Sequence, residues 1–249
     1  MDNEFHLDNP PIKEVALAIY IQNPRYNNEF IQNFKNSNLL DFPKNLPIKN
    51  INIAIDDNEG ITVSTKGICS LSNETDSEIW SFDLNRILYS DKTKYSNFDN
   101  YLKKFLNKFN ILCTNLGENV YSNHIALRYS NEFSLKMEEL DKNFTILPLF
   151  QQHYNNKLYA LNTSYMCFAN IVNAENEKMK ASVNANFVVD KDDTAKFLIN
   201  FDIEIKYDVD NIICQDTEKL KECLSEMRLF KNKIFFSNII NPRKVFDNV

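Results

Sequence analysis

The chain has 249 residues, a formal charge of −6, and 43% hydrophobic, 12% aromatic and 25% charged residues, a length that buries roughly three-quarters of the unfolded surface without help from disulfides or metal. Its three glycines, Gly60, Gly67 and Gly117, lie too far apart to build a glycine-rich phosphate loop. The pI of about 5.2 argues against duplex nucleic acid, where affinity comes mostly from neutralising phosphates.

In chain order, the first expected element is a strand from Glu14 to Gln22. Val15, Leu17, Ile19 and Ile21 alternate with Glu14, Ala16, Ala18 and Tyr20, which is the period of a strand. Pro10-Pro11 precedes it and Asn23-Pro24 breaks it. Asn27 to Phe34 reads as a short helix with Phe30 and Phe34 one turn apart. Asn50 to Ile55 reads as a strand, Asp56 to Gly60 as a turn, and Ile61 to Leu71 as the hairpin partner. Glu78 to Leu88 alternates again, placing Trp80, Phe82, Leu84, Arg86 and Leu88 on one face. The clearest helix follows. Phe98, Tyr101, Leu102, Phe105, Leu106 and Phe109 keep helical spacing behind Ser96-Asn97-Phe98-Asp99, with Lys103, Lys104 and Lys108 on the polar side; burying that stripe is worth on the order of 10 kcal/mol gross.

The second half repeats the plan. Strands are expected at Lys157 to Val172, Lys178 to Val189 and Ala195 to Val209. In the last, Phe197, Ile199, Phe201, Ile203, Ile205, Tyr207 and Val209 point inward, while Asn200, Asp202, Glu204, Lys206 and Asp208 point to water. Thr217 to Phe230 is a helix with Leu220, Cys223, Leu224 and Met227 inward. Each half then carries an apolar run, Ile125 to Tyr129 and Ile234 to Ile240, offset by about 120 residues. The expected fold class is α+β: two similar units, 1–135 and 136–249, each an antiparallel sheet with a long amphipathic helix on one face, on one reading related by internal duplication. The join is expected near Ser134 to Thr145.

The cysteines, Cys69, Cys113, Cys167, Cys214 and Cys223, are odd in number, never spaced CxxC and set among apolar neighbours. Buried, reduced thiols in the cytoplasm are the expectation. No run approaches the roughly 18 apolar residues of a membrane helix, and Met1-Asp2-Asn3-Glu4 is acidic where a signal peptide is basic. Abundant Asn, Lys, Ile, Phe and Tyr share A/T-rich codons, which points to a low-GC bacterial genome.

Three segments carry a family resemblance. Asn9-Pro10-Pro11-Ile12-Lys13-Glu14-Val15 is similar to the "PPI-x-EV" opening of a sporadically distributed family of bacterial proteins of unknown function, the TIGR04255 family. Asn85-Arg86-Ile87-Leu88-Tyr89 resembles its "R-x-x-Y" element. Leu127-Arg128-Tyr129-Ser130-Asn131 resembles its "LRYIN" strand, with Ser130 in place of isoleucine. The closing stretch Phe201-Asp202-Ile203-Glu204, a helix, and then Phe235 or Phe236 fits the family's ending. The resemblance implies no activity; the family's patchy distribution implies genes carried on mobile or defence-type islands.

Glu14, Arg86 and Arg128 are the candidate site residues. Sharing a face with Trp80 and Phe82 would draw Arg86 under cover, where it needs an acid, and Glu14 on the first strand could supply one. Arg128 shares a face with His124 and could join them. The cluster is either a structural network fixing strand register or a pocket of two guanidiniums for an anion or a partner. Asp56-Asp57-Asn58-Glu59-Gly60 lacks the spacing of a calcium loop, and Asp190, Asp192 and Asp193 read as a turn. Asp202 and Glu204 sit in a solvated row. His6, His124 and His153 have no metal-ligand spacing, no Ser lies in a nucleophile elbow, and no Cys has a nearby His, so no catalytic residue, metal or cofactor is expected. Asn143-Phe144-Thr145 is one of the glycosylation-like triplets that so much asparagine generates by chance.

The function expected is a non-catalytic binding module in a multi-protein system, whose sheets and Arg-containing strand ends dock a protein partner, a second copy of the chain or a small anionic ligand. The alternative is a sensor or enzyme for a phosphorylated or other small anionic molecule, with Arg86 and Arg128 holding the anion and His124 as acid/base.

Overall fold

A computed structural model of the chain describes residues 7, 10–22, 28–46, 51–56, 60–65, 67–83, 86–95, 97–115, 121–136, 165–189, 196–214, 216–239 and 242–246. The fold is α+β. Its strands are β1 (Ile12–Gln22), β2 (Lys44–Leu46), β3 (Ile51–Asp56), β4 (Gly60–Thr65), β5 (Gly67–Ser72), β6 (Glu78–Asp83), β7 (Arg86–Asp91), β8 (Tyr121–Lys136), β9 (Tyr165–Val172), β10 (Met179–Val189) and β11 (Lys196–Ile213). Its described helices are α1 (Asn28–Ser37), α2 (Phe98–Asn115), α3 (Thr217–Asn238) and α4 (Pro242–Phe246). Where the sequence reading has one sheet in each half, the structure has a nine-stranded sheet in the order β2-β5-β6-β7-β1-β8-β11-β10-β9 and a separate β3-β4 pair.

Two compact units are recognised. One comprises Met1–Val15, Leu127–Tyr207 and Leu224–Val249; the other comprises Ala16–Ala126 and Asp208–Cys223. These cuts in space are not the sequential halves 1–135 and 136–249, because β1, β8, β11 and α3 each run from one unit into the other.

In the 16–126 unit, two expected strands divide. Ile61 to Leu71 becomes β4, paired with β3 from Ile51↔Thr65 to Asp56↔Gly60, and β5, paired with β2 and β6. Glu78 to Leu88 becomes the antiparallel hairpin β6–β7, with Trp80 opposite Tyr89 and Phe82 opposite Ile87. Cross-strand partners share a face, so the core face is Trp80, Phe82, Ile87 and Tyr89. Arg86 and Leu88 therefore face the other way, contrary to the single-strand reading. The core is aromatic: Trp80 packs on Phe34 at 5.4 Å, on Tyr89 at 4.8 Å and stacks on Phe105 at 5.7 Å between ring centres. Helix α2 begins at the expected Phe98 and runs past the last residue of the expected stripe, Phe109, to Asn115. Asn97 caps it, its Oδ1 accepting from the Asn100 N–H at 2.8 Å, and Phe98, Tyr101, Leu102, Phe105, Leu106 and Phe109 are all buried.

In the 127–207 unit, β10 pairs antiparallel with β9 and with β11, Val183 lying opposite both Ala169 and Ile203. Phe197, Ile199, Phe201, Ile203 and Ile205 are buried as expected, while Tyr207 is half-buried. Helix α3 runs beyond Phe230 to Asn238. The apolar run at Ile234 thus continues a helix, whereas Ile125 to Tyr129 lies within strand β8, so the two runs that the offset aligned differ in secondary structure. Residues 137–145, 157–164, 57–59 and 190–193, which hold the expected join, the start of a strand, two turns and the Asn143 triplet, lie outside the described residues, as do His6 and His153.

Candidate functional site

Arg86 begins β7, where the hairpin returns beside the end of β6. Its carboxylate partner is Asp83: Arg86 Nε donates to Asp83 Oδ2 at 2.7 Å, and Nη2 also meets that oxygen. The Asp83 side chain is 13% exposed, so the pair is shielded from solvent. Burial works against the Arg86 charge, but Asp83 and a hydrogen bond with Tyr20 more than offset it and hold the guanidinium protonated.

Tyr20 connects Arg86 to the only candidate histidine among the described residues. The Tyr20 ring meets His124 edge-on at 4.8 Å and 70°. His124 Nδ1 lies 2.7 Å from Asp208 Oδ1, and the His124 side chain is 27% exposed. Asp83, Arg86, Tyr20, His124 and Asp208 therefore form a polar row that crosses the sheet in the order β6, β7, β1, β8, β11. Sequence reasoning had Arg86 and His124 but missed Asp83, Tyr20 and Asp208 as their partners. Once the hairpin is drawn, Asp83 three residues before Arg86 is a readable signal.

The chemistry open to this row is limited. Arg86 is already neutralised by Asp83. Ser122 Oγ donates to the His124 carbonyl at 3.0 Å, a main-chain contact that leaves the hydroxyl unaimed at the imidazole, and no other Ser or Cys among the described residues is hydrogen-bonded to that ring. Activation of a nucleophile needs that bond.

Arg128 belongs to the other unit. It projects from β8, its side chain 53% exposed, and Nη2 donates to Asp202 Oδ2 at 2.7 Å. Its acid is thus the β11 residue that the sequence placed in a solvated row. That row is graded: side-chain exposure rises from 25% at Asp202 to 35% at Glu204 and 46% at Lys206. Glu14 is half-buried on β1. In the same unit Lys13 pairs with Glu132 at 2.6 Å, and the Glu132 N–H donates to the Pro11 carbonyl at 2.9 Å, which ties the PPI-x-EV segment to the strand bearing Arg128. Asn131, buried, donates from Nδ2 to the Phe201 carbonyl at 2.7 Å. These contacts fix strand register.

Two further features escaped the sequence reading. Lys231 on α3 is buried, with Nζ 4.3 Å from the centre of the Tyr129 ring and 5.6 Å from that of Phe235. Burial, reinforced by the Arg228 charge, pushes its pKa down to about 7. The readable signal is its place on the inward stripe Leu220, Leu224, Met227, Lys231, Ile234, at helical spacing. The second feature is the turn after α1. Asn38 Nδ2 and N–H both donate to the Phe34 carbonyl, and the Asp41 and Phe42 N–H groups both donate to the Asn38 carbonyl. The turn so fixed presents Leu39, 50% exposed, and Leu40, 96% exposed. Asp41 beside them pairs with Lys108 of α2, which also lies over the Phe42 ring, and Ile111, one turn on from Lys108, is exposed as well.

Cys113 and Cys214 are buried and unbonded, and burial raises both thiols, Cys214 to about 12. Among the described residues no group of three His, Cys, Asp or Glu side chains is arranged to hold a metal, and no helix is long and apolar enough to cross a membrane. No protein-family model, curated protein or solved structure matches the chain.

Proposed function

We propose that this chain is a non-catalytic binding module of the TIGR04255 type that docks a protein partner through the turn after α1. The observation that carries the reading is the ordered exposure of Leu39 and Leu40. A large apolar side chain that is almost wholly exposed, on a backbone already fixed by four hydrogen bonds, gives up little conformational entropy on docking. Burying Leu40 against a partner is worth about 2 kcal/mol, about thirtyfold in affinity. The neighbouring Asp41–Lys108 pair supplies a charged rim of the kind that orients partners.

The alternative, a sensor or enzyme for a small anion, draws less support. Arg86 and Arg128 each already face a carboxylate, and an anion would have to displace it.

The test is affinity capture of the tagged protein from its own host, followed by native mass spectrometry, with Leu40→Asp alongside. The expected result is a stoichiometric protein partner on the unmutated chain that is lost from Leu40→Asp, with unchanged melting temperature. A partner retained by Leu40→Asp overturns the docking turn. A retained low-mass anion that Arg86→Ala or Arg128→Ala loses overturns the module reading.

A further inference from the structure

Lys231 is a primary amine held in an apolar enclosure. The residue is 7% exposed, Tyr129 and Phe235 lie under its Nζ, and Phe201 of β11 packs on Phe235 with ring centres 5.9 Å apart. Among the described residues no carboxylate pairs with it. The charged group beside it is Arg228, three residues earlier on α3, and the titratable group facing it from β8 is the Tyr129 phenol.

An ammonium in that place is disfavoured twice, by lost hydration and by the neighbouring guanidinium. A large share of the side chain is therefore free amine near neutral pH, with a lone pair available for nucleophilic attack. What it can attack is decided by size and polarity. A metabolite carbonyl would need a polar path and room, whereas a small, uncharged molecule can enter a packed interior through ordinary side-chain fluctuations.

We propose that Lys231 is a carbamylation site, its Nζ adding to carbon dioxide to give a lysine carbamate whose carboxylate is held by Arg228. The amine lone pair forms the N–C bond, one C=O π pair moves onto oxygen, and one proton leaves nitrogen for solvent. Amine and carbon dioxide become carbamate and a proton, and nothing is oxidised or reduced. The product reverses the local electrostatics. A neutral amine three residues from the Arg228 cation becomes an anion, at the helical spacing where opposite charges attract. The rings that favour a cation lose that contact but still exclude competing water.

Protein equilibrated with carbon-13-labelled bicarbonate and dissolved carbon dioxide at about pH 8, where the free amine dominates, is observed by carbon-13 NMR. The expected result is one carbamate carbon per chain, removed by purging the gas. Lys231→Met and Lys231→Gln, which offer side chains of similar reach, are expected to lose the signal while keeping the circular-dichroism spectrum of the unmutated protein. Arg228→Gln keeps the amine and is expected to lower carbamate occupancy several-fold at the same carbon dioxide pressure. No carbamate signal from the unmutated protein, or one that persists without Lys231, overturns the proposal. Equal occupancy in Arg228→Gln overturns the role of Arg228.

Discussion

Replacing Lys231 with methionine should make the protein more stable, by an amount that depends on pH. In the folded chain burial and Arg228 hold the Lys231 pKa at about 7, against an ordinary value of 10.5. Between those values the unfolded chain binds a proton that the folded chain does not, so stability rises with pH across that window. The slope reaches about 1.4 kcal/mol per pH unit. Relative to pH 10.5 and above, folding at pH 8 forgoes the proton at a cost of about 3 kcal/mol, and below pH 7 the cost levels off near 5 kcal/mol. A methionine of similar length carries no such cost and fits the same apolar enclosure. Urea unfolding followed by circular dichroism, in buffer freed of carbon dioxide, reads the effect. At pH 8 the Lys231→Met midpoint should lie about 1 M higher if m is near 3 kcal/mol/M, and the gap should close toward pH 10.5. The difference between the two proteins is the proper observable. Cys113, Cys214 and Tyr89 have raised pKa values and push stability the opposite way at alkaline pH in both. A gap that stays constant from pH 7 to 10.5, or a variant less stable than the unmutated chain at pH 8, would refute the reasoning.

Two further outcomes follow from named contacts. Asp83→Asn leaves the half-buried Arg86 without its counter-charge and should lower stability by about 1–3 kcal/mol in a thermal melt; an unchanged melt would mean that solvent already serves that guanidinium. Asn97→Ala removes the α2 cap and should cost about 1 kcal/mol, while Asn97→Asp should restore most of it; equal losses from both would show that the cap contributes nothing.

What the sequence made legible was whatever one periodicity controls. Helix α2 shows six apolar residues at helical spacing and a capping asparagine, and β11 alternates without a break for more than a dozen residues, so local pattern and tertiary burial agree. The divided strands show where pattern fails. In the sequence Leu84 keeps the alternation of Trp80 and Phe82 in phase, so the pattern gives no sign that β6 and β7 are separate strands. Nothing local announces that Tyr89, and not Leu88, will face Trp80. The same error put Arg86 on the core face and hid Asp83. Lys231 was hidden for a different reason. Lysine is so seldom buried that its place on the inward stripe of α3 reads as a register slip. The pairing of Arg128 with Asp202 joins strands 74 residues apart, a distance that no local pattern spans.

The strand order has a consequence for how the chain emerges from a ribosome. The strands β5, β6 and β7 can assemble as they are made, since each lies beside one already present, and β7 then joins β1 to them. Lys13 must then wait for Glu132, 119 residues later, before β1 gains its second neighbour. On the far side the timetable is out of sequence: β9 and β10 are synthesised before β11, yet β11 lies between β10 and β8. Until β11 is threaded into that gap, the β9–β10 hairpin has both edges open and its apolar face uncovered. The nascent chain is then most prone to pair with a neighbour, and a synonymous pause just before residue 196 would lengthen that exposure.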